Sequence, residues 1–525
     1  MTLTYFAVHT ADEGRFVQLR VRNKTLEVQN VHSIGKATGI VSDLVAEDIL
    51  ASSHTALSVT AQKGQSTEQL VPAFKPAWLK RITHVRAWID KGRLPPETDY
   101  AEAVRSVVRC FYFETDQTRK SIRDLRRVIF NLLTVGGSRT GLERATTLLE
   151  DVFAHPAGVV VDSPAMNYMF DLLMMARYLS FQKDHPRQAL RGRATAGVMR
   201  NIDTETEQFK AALAGFEEFC REFLPLGAAH LHLGHVASFR GDRRRAAASY
   251  GEARMAFPDI MDPKTSTYPI STYLVPPPSD ELLFETPRLE WMQTSIPTDL
   301  QFPVVLYSAD PRFLKRYFPQ LAFYMALFPE FTYHVHIVAE REEAEETMDL
   351  CAGLLSIILR LRDLEPEAVT IDWSRSRVPD DIGLQTTYYA CARYLIAPQL
   401  MDAYQQDVWI QDVDLLPTGD IRTVPGRSQG ADVMLHMSQR MNGIIPWRRY
   451  LAGNVLVRRT DNGRAVLDAT ARYLRSFLHR ENSWCLDQNA LVYAVETVPA
   501  ETTFVNAVTV RAPLTQGRMS GLIEA

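Results

Sequence analysis

The strongest constraint on the fold is an alternation of apolar runs and helix-period stretches that begins near residue 303. The apolar runs are "PVVLYSAD", "TYHVHIVAE", "AVTIDW" and "VWIQDVDLL". Between them, apolar residues recur at every third or fourth position, as they do on one face of a helix. Strands that alternate with helices of a dozen or more residues form a mainly parallel sheet covered on both faces. The pattern therefore predicts an α/β domain.

Acidic residues follow or interrupt these predicted strands, namely Asp310, Asp372, Asp412 and Asp414. Ligands of open α/β sheets bind at the carboxyl ends of the strands, so we expect all four aspartates at that edge. Burying an ionised carboxylate without a partner costs roughly several kcal/mol, so the two acids in "VWIQDVDLL" need a positive charge.

Asp412 and Asp414 are two residues apart and can point the same way where a strand ends. Their oxygens suit a hard cation, Mn²⁺ or Mg²⁺, which can also hold a diphosphate and neutralise it as a leaving group. The pair is therefore predicted to be a metal site. The alternative is two strand-end caps in a domain without catalytic activity.

The rest of the 525-residue chain is too long to share one hydrophobic core with this domain. Residues 1–98 are predicted to be a small α+β region, with a β-hairpin around Asn23–Lys24. Residues 99–258 have helical periodicity and are predicted to be an all-α domain. Residues 259–300 are rich in proline and are interpreted as a linker, and 301–525 form the α/β domain.

One helical unit, "LHLGHVASFRGDRRRAAASYGEARMAFPD", has small residues and a final proline at tetratricopeptide-repeat spacing. This unit resembles one tetratricopeptide repeat, and the resemblance implies a protein partner. A stable array needs about three repeats, and the stretch at 128–156 is a candidate for a second, degenerate copy. His230, His232 and His235 do not share one helical face, so they are interpreted as scaffold and not as metal ligands. His334 and His336 alternate along a predicted strand and are also interpreted as structural.

Charge and composition exclude several classes of protein. A net charge of −4 gives no general attraction to nucleic acid or anionic membranes. We expect no transmembrane segment, because charges interrupt every long apolar run, and no signal peptide, because "MTLTYFAVHTADEGRF" soon turns polar. The five cysteines are scattered, which is typical of reduced thiols and predicts a cytoplasmic protein.

The order of elements from about 302 to 510 resembles the GT-A glycosyltransferases, in particular the glycogenin and lipopolysaccharide galactosyltransferase group. Four stretches carry the resemblance: "VVLYSAD" as the first strand, "YYACARYLIAPQLMDAYQQDVWIQDVDLL" as a helix running into the DxD strand, "YLAGNVLVRRTDNGRAVL" as a small-residue strand before a helix, and "SWCLDQNAL" as the Asp-Gln segment. A DxD pair alone is weak, but a W-x-x-D-Q segment downstream makes the combination fairly specific.

The resemblance implies a Rossmann-like nucleotide-diphospho-sugar transferase domain that uses Mn²⁺ or Mg²⁺. A UDP-sugar is the expected donor, and the acceptor would be a glycan, a lipid-linked sugar or a protein, as in polysaccharide biosynthesis. The residues that the resemblance assigns to nucleotide, diphosphate and sugar are Ser308, Asp310, Asp372, Arg393, Asp412, Gly453 and Asn454. It assigns the metal to Asp412 and Asp414, and the sugar or the anomeric carbon to the catalytic candidates Asp487 and Gln488.

The chain departs from the galactosyltransferase branch at its C-terminal end. The branch completes its metal site with a histidine there, whereas "APLTQGRMSGLIEA" has none, although Gly517–Arg518 could meet phosphate. The third ligand and the choice between retention and inversion therefore stay open, and Asp487 would be the general base of an inverting reaction. A scaffold with an inactive transferase-like domain is the alternative function. A haloacid-type phosphatase fits poorly, because Leu415–Leu416 follow the second aspartate.

Overall fold

A computed structural model describes most of the chain from residue 192 onward, and parts of it before that. The described residues are the backbone of 3–8, 15–22, 25–33 and 58–59, and then 146–147, 149–150, 153, 164–184, 192–256, 285, 287–296, 300–361, 364–415, 421–437, 444–479 and 485–507. The N-terminal strands are β1 (Leu3–Val8), β2 (Arg15–Arg22), β3 (Thr25–Ser33) and β4 (Ser58–Val59), which form a sheet in that order. β2 and β3 pair antiparallel, as the hairpin pattern predicts.

A nine-stranded mixed sheet organises the rest of the described chain. Its strands are β5 (Arg193–Thr195), β6 (Glu290–Gln293), β7 (Val304–Ala309), β8 (Thr332–Val338), β9 (Thr370–Ser376), β10 (Val408–Gln411), β11 (Val433–Met437), β12 (Tyr450–Val457) and β13 (Thr503–Asn506). Their order across the sheet is β5-β13-β11-β12-β10-β7-β8-β9-β6. The four strands β10, β7, β8 and β9 are parallel, while β12 runs antiparallel to β10 and β11.

Twelve α-helices lie within the described ranges. They are α1 (Pro164–Asp184), α2 (Ala196–Arg200), α3 (Glu207–Glu222), α4 (Gly227–Phe239), α5 (Arg243–Ala256), α6 (Pro311–Leu327), α7 (Arg341–Leu361), α8 (Gln385–Tyr404), α9 (Thr423–Arg427), α10 (Pro446–Arg449), α11 (Asp461–Phe477) and α12 (Leu486–Thr497). In none of them does an apolar stretch reach the length that a bilayer crossing needs. The α/β architecture and the helix–strand order that the sequence predicts from residue 303 onward are confirmed.

Helices cover the sheet on both faces, as its apolar strands require. One core packs α6 and α7 against Val305, Tyr307 and Trp409. The other packs α8, α11 and α12 against Val304, Leu306 and the alternate residues of β10 and β12. Because successive strand residues point to opposite faces, each core takes every second residue of these strands. α8 is buried along most of its length, so its polar side chains must find partners inside the protein.

Both edges of this sheet come from outside residues 301–525. β5 lies within the predicted helical domain and pairs with β13, and β6 lies within the predicted linker and pairs with β9. The described helices before residue 257 also continue into the sheet's core, because α4 is buried nearly all round. One side of α4 joins a helical core with α1 and α3, and Leu231 on its other side joins the core beneath α8.

The repeat-like unit at 231–259 contains the helical hairpin of α4 and α5. Gly234 lies against the ring of Tyr250, where a Cβ would overlap the ring, so the small residue allows close helix packing. His232 contacts Asp171 and Tyr178, and both histidine nitrogens are thereby occupied. The suggested second copy at 128–156 lies almost entirely outside the described residues, as do Gly517–Arg518.

Candidate functional site

The two acids of "VWIQDVDLL" lie in a turn directly after β10, at the carboxyl end of the parallel strands. β10 ends at Gln411, which is shorter than the apolar run suggests. The backbone N–H of Asp412 donates to the carbonyl of Gly453 at 2.9 Å, which continues the contact between β10 and β12 by one residue. Asp412 and Asp414 therefore follow a buried strand and occupy the sheet edge where ligands bind in such folds.

A buried arginine occupies the centre of this edge. Arg393 comes from the middle of α8, and its side chain is 6% exposed. Its guanidinium contacts the carboxylate of Asp412 at 2.6 Å and that of Asp487 at 3.1 Å. A third contact of 3.4 Å reaches the carbonyl of Ala452, which also accepts the hydroxyl of Tyr394 at 2.6 Å. The positive charge that the sequence requires beside Asp412 is thus supplied by this arginine.

We call Arg393, Asp412, Asp414 and Asp487 the acid–arginine cluster. It holds three carboxyl groups near one buried guanidinium. Burial raises the pKa of Asp414 to about 6, and the neighbouring Asp412 carboxylate adds to the rise against the opposing effects of Arg393 and Arg316. Burial likewise raises the pKa of Asp487 to about 6, with Arg393 opposing and Asp412 adding to the rise.

Burial is the largest cause of both raised pKa values, and the nearby guanidinium of Arg393 only partly offsets it. Carboxyl groups whose pKa is raised to about 6 by burial beside a charged partner are typical of functional sites. The Nε–H of Arg393 is buried and has no acceptor among the described atoms, so this side chain retains a donor for a ligand.

Gly453 makes room for the acid next to Arg393. A Cβ added at Gly453 would overlap the Asp412 carboxylate, so only glycine allows this acid to reach Arg393 along that path. The next residue, Asn454, points to the opposite face of β12, where its side-chain oxygen accepts the indole N–H of Trp409 at 2.7 Å. The structure therefore brings Gly453 to the cluster and does not bring the Asn454 side chain there.

Asp487 and Gln488 open the helix α12. Cys485 precedes them with φ of 58°, a left-handed conformation, and it holds the N-terminal position where a cap residue stands. Asp487 lies in the first turn, and one of its oxygens accepts the backbone N–H of Gln488 at 2.8 Å. Its other oxygen binds Arg393. Asp487 therefore combines a helix-terminus role with membership of the cluster, and Gln488 stands half-buried beside it.

The residues predicted to meet the nucleoside occupy the end of β7. Ser308 is 4% exposed, and its hydroxyl has no partner among the described residues. Asp310 directly follows β7 and caps α6, since one of its oxygens accepts the backbone N–H groups of Arg312 and Phe313 at 2.9 and 3.1 Å. Both residues lie at the same sheet edge as the cluster.

The expectation that Asp372 lies at this edge is wrong. Asp372 is the third residue of β9, level with His334 on β8, which places it in the amino-terminal half of the parallel strands. It is fully buried and accepts hydrogen bonds from Tyr404 and Ser295. "AVTIDW" suggests that the strand ends near this acid, but β9 continues through the polar residues of "SRS" because His334 and His336 face them and supply hydrogen bonds.

A metal ion fits this donor set only in part. Across the part of the chain that the structure describes, no three histidine, cysteine or acidic side chains come together as a metal site. A pair of acids in which Asp412 helps to raise the pKa of Asp414 can still accept a hard cation, and a diphosphate can supply further oxygens. Asp414 is the acid best suited to hold such an ion, because Asp412 already contacts Arg393.

Sequence reasoning missed the polar contacts beneath α8. It did not connect Tyr404, Ser374 and Ser376 with His334 and His336, although the alternation of histidines in a strand next to alternating serines is a usable signal. It also missed that Arg393 binds both acids.

A scan of protein-family models and a search of curated proteins each give no match to the chain.

Proposed function

We propose that the protein is a metal-dependent glycosyltransferase that moves a sugar from a nucleotide diphosphate, with a UDP-sugar as the expected donor, to a glycan, lipid or protein acceptor. The finer fold that goes with this function is the GT-A type of α/β domain. The observation that carries the proposal is the acid–arginine cluster, in which one buried guanidinium contacts two carboxylates and a third carboxyl group lies beside them.

The cluster suits a ligand that brings both negative phosphate and a cation. Asp414 would hold a divalent ion, which when bound would supply positive charge to the diphosphate leaving group. Arg393 would orient the diphosphate through its remaining N–H donor. Asp412 keeps the guanidinium in place, because the contact of 2.6 Å fixes one side of the planar group.

Asp487 would act on the sugar or on the incoming hydroxyl. Its pKa of about 6 means that it is ionised near neutral pH and can still accept a proton there, as a general base must. Gln488 would hold a sugar hydroxyl beside it. Ser308 and Asp310 would lie along the nucleoside at the end of β7. The arrangement supports an inverting reaction if Asp487 meets the acceptor, and a retaining one if it only orients the sugar.

One observation favours a second function, a scaffold with a transferase-like domain that has lost activity. Asp412 already has a cationic partner, and the described residues supply no third metal ligand. In that case the helices before residue 257 would carry the function, by binding a protein partner.

The two functions differ in their response to nucleotide and metal. We expect UDP or GDP to raise the melting temperature only when Mn²⁺ or Mg²⁺ is present, and we expect Asp414→Ala to remove this shift while leaving the fold intact. Asp402→Ala is the matched control, because Asp402 is an exposed acid elsewhere on α8 and should leave the shift unchanged.

A panel of nucleotide-sugars followed by mass spectrometry tests turnover directly, since slow donor hydrolysis identifies the sugar without a known acceptor. No melting shift and no hydrolysis across the panel would support the scaffold. Unaltered nucleotide affinity in Asp414→Ala would refute the metal assignment even if the enzyme is active.

A further inference from the structure

A continuous chain of buried hydrogen bonds runs across β8 and β9 on the α8 side of the sheet. Starting in the amino-terminal half of β9, Asp372 accepts the hydroxyl of Tyr404 at 2.6 Å. The Tyr404 oxygen lies 2.9 Å from Nδ1 of His334, and Nε2 of His334 lies 2.7 Å from Oγ of Ser374. Every side chain in this part is at most 5% exposed.

The series of hydrogen bonds then continues toward the carboxyl edge of the sheet. Oγ of Ser374 lies 2.8 Å from Nδ1 of His336, and Nε2 of His336 lies 2.9 Å from Oγ of Ser376. Ser376 ends β9 and is also hydrogen-bonded to Tyr388, near the start of α8. This series of hydrogen bonds therefore connects the amino-terminal half of β9 with its last residue by side chains alone.

The number of hydrogens on each group requires all hydrogen bonds of this series to be donated in one direction. An ionised Asp372 only accepts, so Tyr404 donates to it and must accept from Nδ1–H of His334. A neutral His334 then has a bare Nε2, which accepts the hydroxyl of Ser374. The same logic makes His336 protonated at Nδ1, with Ser376 donating to its Nε2. Every hydrogen thus points toward Asp372.

Two observations support this assignment of neutral rings and an ionised acid. Asp372 accepts three hydrogen bonds, because its second oxygen takes both the backbone N–H and the hydroxyl of Ser295. Burial lowers the pKa of His336 to about 3 and that of His334 well below its ordinary value, so both imidazoles are neutral near pH 7.

We propose that these six side chains form a proton relay between the carboxyl edge of the sheet and Asp372. A hydronium ion at the edge gives a proton to Ser376 and leaves as water, Ser376 passes its own hydrogen to His336, and each following member does the same until Asp372 is protonated. Each intermediate residue gains one hydrogen and loses one. The only net changes are a proton lost at the edge and a proton gained by Asp372.

The two ends of the relay suit this role. At one end Asp372 is held by Ser295, which is exposed, so the acid has a short route to solvent. At the other end Ser376 closes β9 at the edge where ligands bind in open α/β sheets. The relay stands independently of glycosyl transfer, because it requires only a group at the edge that releases a proton.

The first test determines by NMR which ring nitrogen of each histidine carries the hydrogen. It uses ¹⁵N chemical shifts and two-bond couplings in full-length protein with labelled histidine. We expect Nδ1–H for His334 and His336 in the unmodified protein. Nε2–H at either ring would overturn the proposal, and this result needs no variant.

Tyr404→Phe removes the only described acceptor of the His334 Nδ1–H, so both rings are expected to change to Nε2–H by reversal of the intervening hydroxyls. Asp372→Asn changes the last acceptor of the hydrogen-bond series, so it permits the same reversal of the hydroxyl and imidazole hydrogens. Tyr333→Phe is the matched control, because Tyr333 lies on the neighbouring strand position and donates to Phe328 on the other side of the sheet. Unchanged tautomers in Tyr404→Phe would contradict a chain directed by Asp372.

The second test separates a relay from a static network. Backbone amides of β8 are hydrogen-bonded within the sheet and exchange with water only when the structure opens. Ring protons that move along a relay should exchange faster than those amides, and Tyr404→Phe should remove the difference. Ring exchange as slow as that of the amides in the unmodified protein would show that no proton travels along the chain.

Discussion

Two groups of polar side chains each include a residue of α8, Arg393 in one and Tyr404 in the other, and they differ in how their charges are balanced. In the acid–arginine cluster, one guanidinium contacts two carboxylates and a third acid stands nearby with a raised pKa. In the relay, one carboxylate ends a series of neutral hydroxyls and imidazoles, each with its hydrogen-bonding partners. Only β7 and β8 separate β10 from β9 in the sheet.

The difference indicates which group awaits a ligand. A polar network with every member satisfied contributes to a single ordered core, whereas a buried excess of one charge destabilises the fold until something neutralises it. The cluster has that excess and also keeps a free donor on Arg393. The balance of charges and hydrogens thus supports the proposed ligand site at the cluster and a fully hydrogen-bonded series at the proposed relay.

The largest expected effect comes from removing the one cation of the cluster. Arg393→Met should lower the free energy of unfolding by about 3–5 kcal/mol, because it leaves the buried Asp487 and the partly buried Asp412 without a cationic partner. Urea unfolding followed by tryptophan fluorescence measures this. Arg464→Met is the control, since the half-exposed Arg464 pairs with Asp402 on the surface and should cost less than about 1 kcal/mol. Equal losses in the two variants would remove the contrast between buried and surface pairs.

A smaller change in the free energy of unfolding, of opposite sign, is expected for Asp414, which has no ion pair among the described residues. The pKa of Asp414 rises from 3.8 to about 6 on folding, so the folded chain holds a proton that the unfolded chain releases between those values. The free energy of unfolding consequently falls as the pH rises through this window. Asp414→Asn should raise it by about 1–3 kcal/mol near pH 7 and change it little near pH 4.

Denaturant titrations at both pH values measure the difference, with the exposed Asp402→Asn as the control. Saturating Mn²⁺ should stabilise the unmodified protein near pH 7 and should not stabilise the Asp414→Asn variant. Stabilisation that is the same at both pH values would mean that Asp414 does not carry a raised pKa.

The smallest change in the free energy of unfolding is expected for a substitution in the relay. Ser374→Ala leaves one nitrogen of each histidine without a partner, and it should lower the free energy of unfolding by roughly 1–2 kcal/mol. Because the relay carries no net excess of charge apart from Asp372, this loss should vary little between about pH 6 and pH 8. A strong pH dependence there would show that one of the imidazoles is charged, which would bring the relay closer in character to the cluster.

Much of the fold could be predicted from the sequence because its periodicity is strong. The strands β7, β8 and β9 and the helices α6, α7 and α8 agree with the predicted stretches to within a few residues. The two edge strands could not be predicted, since Arg193–Thr195 and Glu290–Gln293 are too short to give a periodic signal and become strands by pairing with β13 and β9.

The sequence predicted which residues belong to the candidate site better than it predicted how they contact one another. The need for a cation beside Asp412 follows from burial alone, and the tyrosine–arginine helix was singled out through its resemblance to known transferases. That Arg393 lies between Asp412 and Asp487 depends on how α8 and α12 pack across the end of β10. Asp372 was misplaced because a polar residue after an apolar run indicates a strand end only when no buried partner receives it.

The sequence by itself determined the α/β class, the parallel arrangement of the central strands and the need for a cation beside the acids after β10, because these depend on local periodicity and on the cost of burying charge. Only the tertiary structure decided which cation meets which acid, and that serines, histidines and tyrosines far apart in the chain form one directed series. Such pairings depend on distances of about 3 Å between side chains of different elements, which packing sets and which no local pattern records.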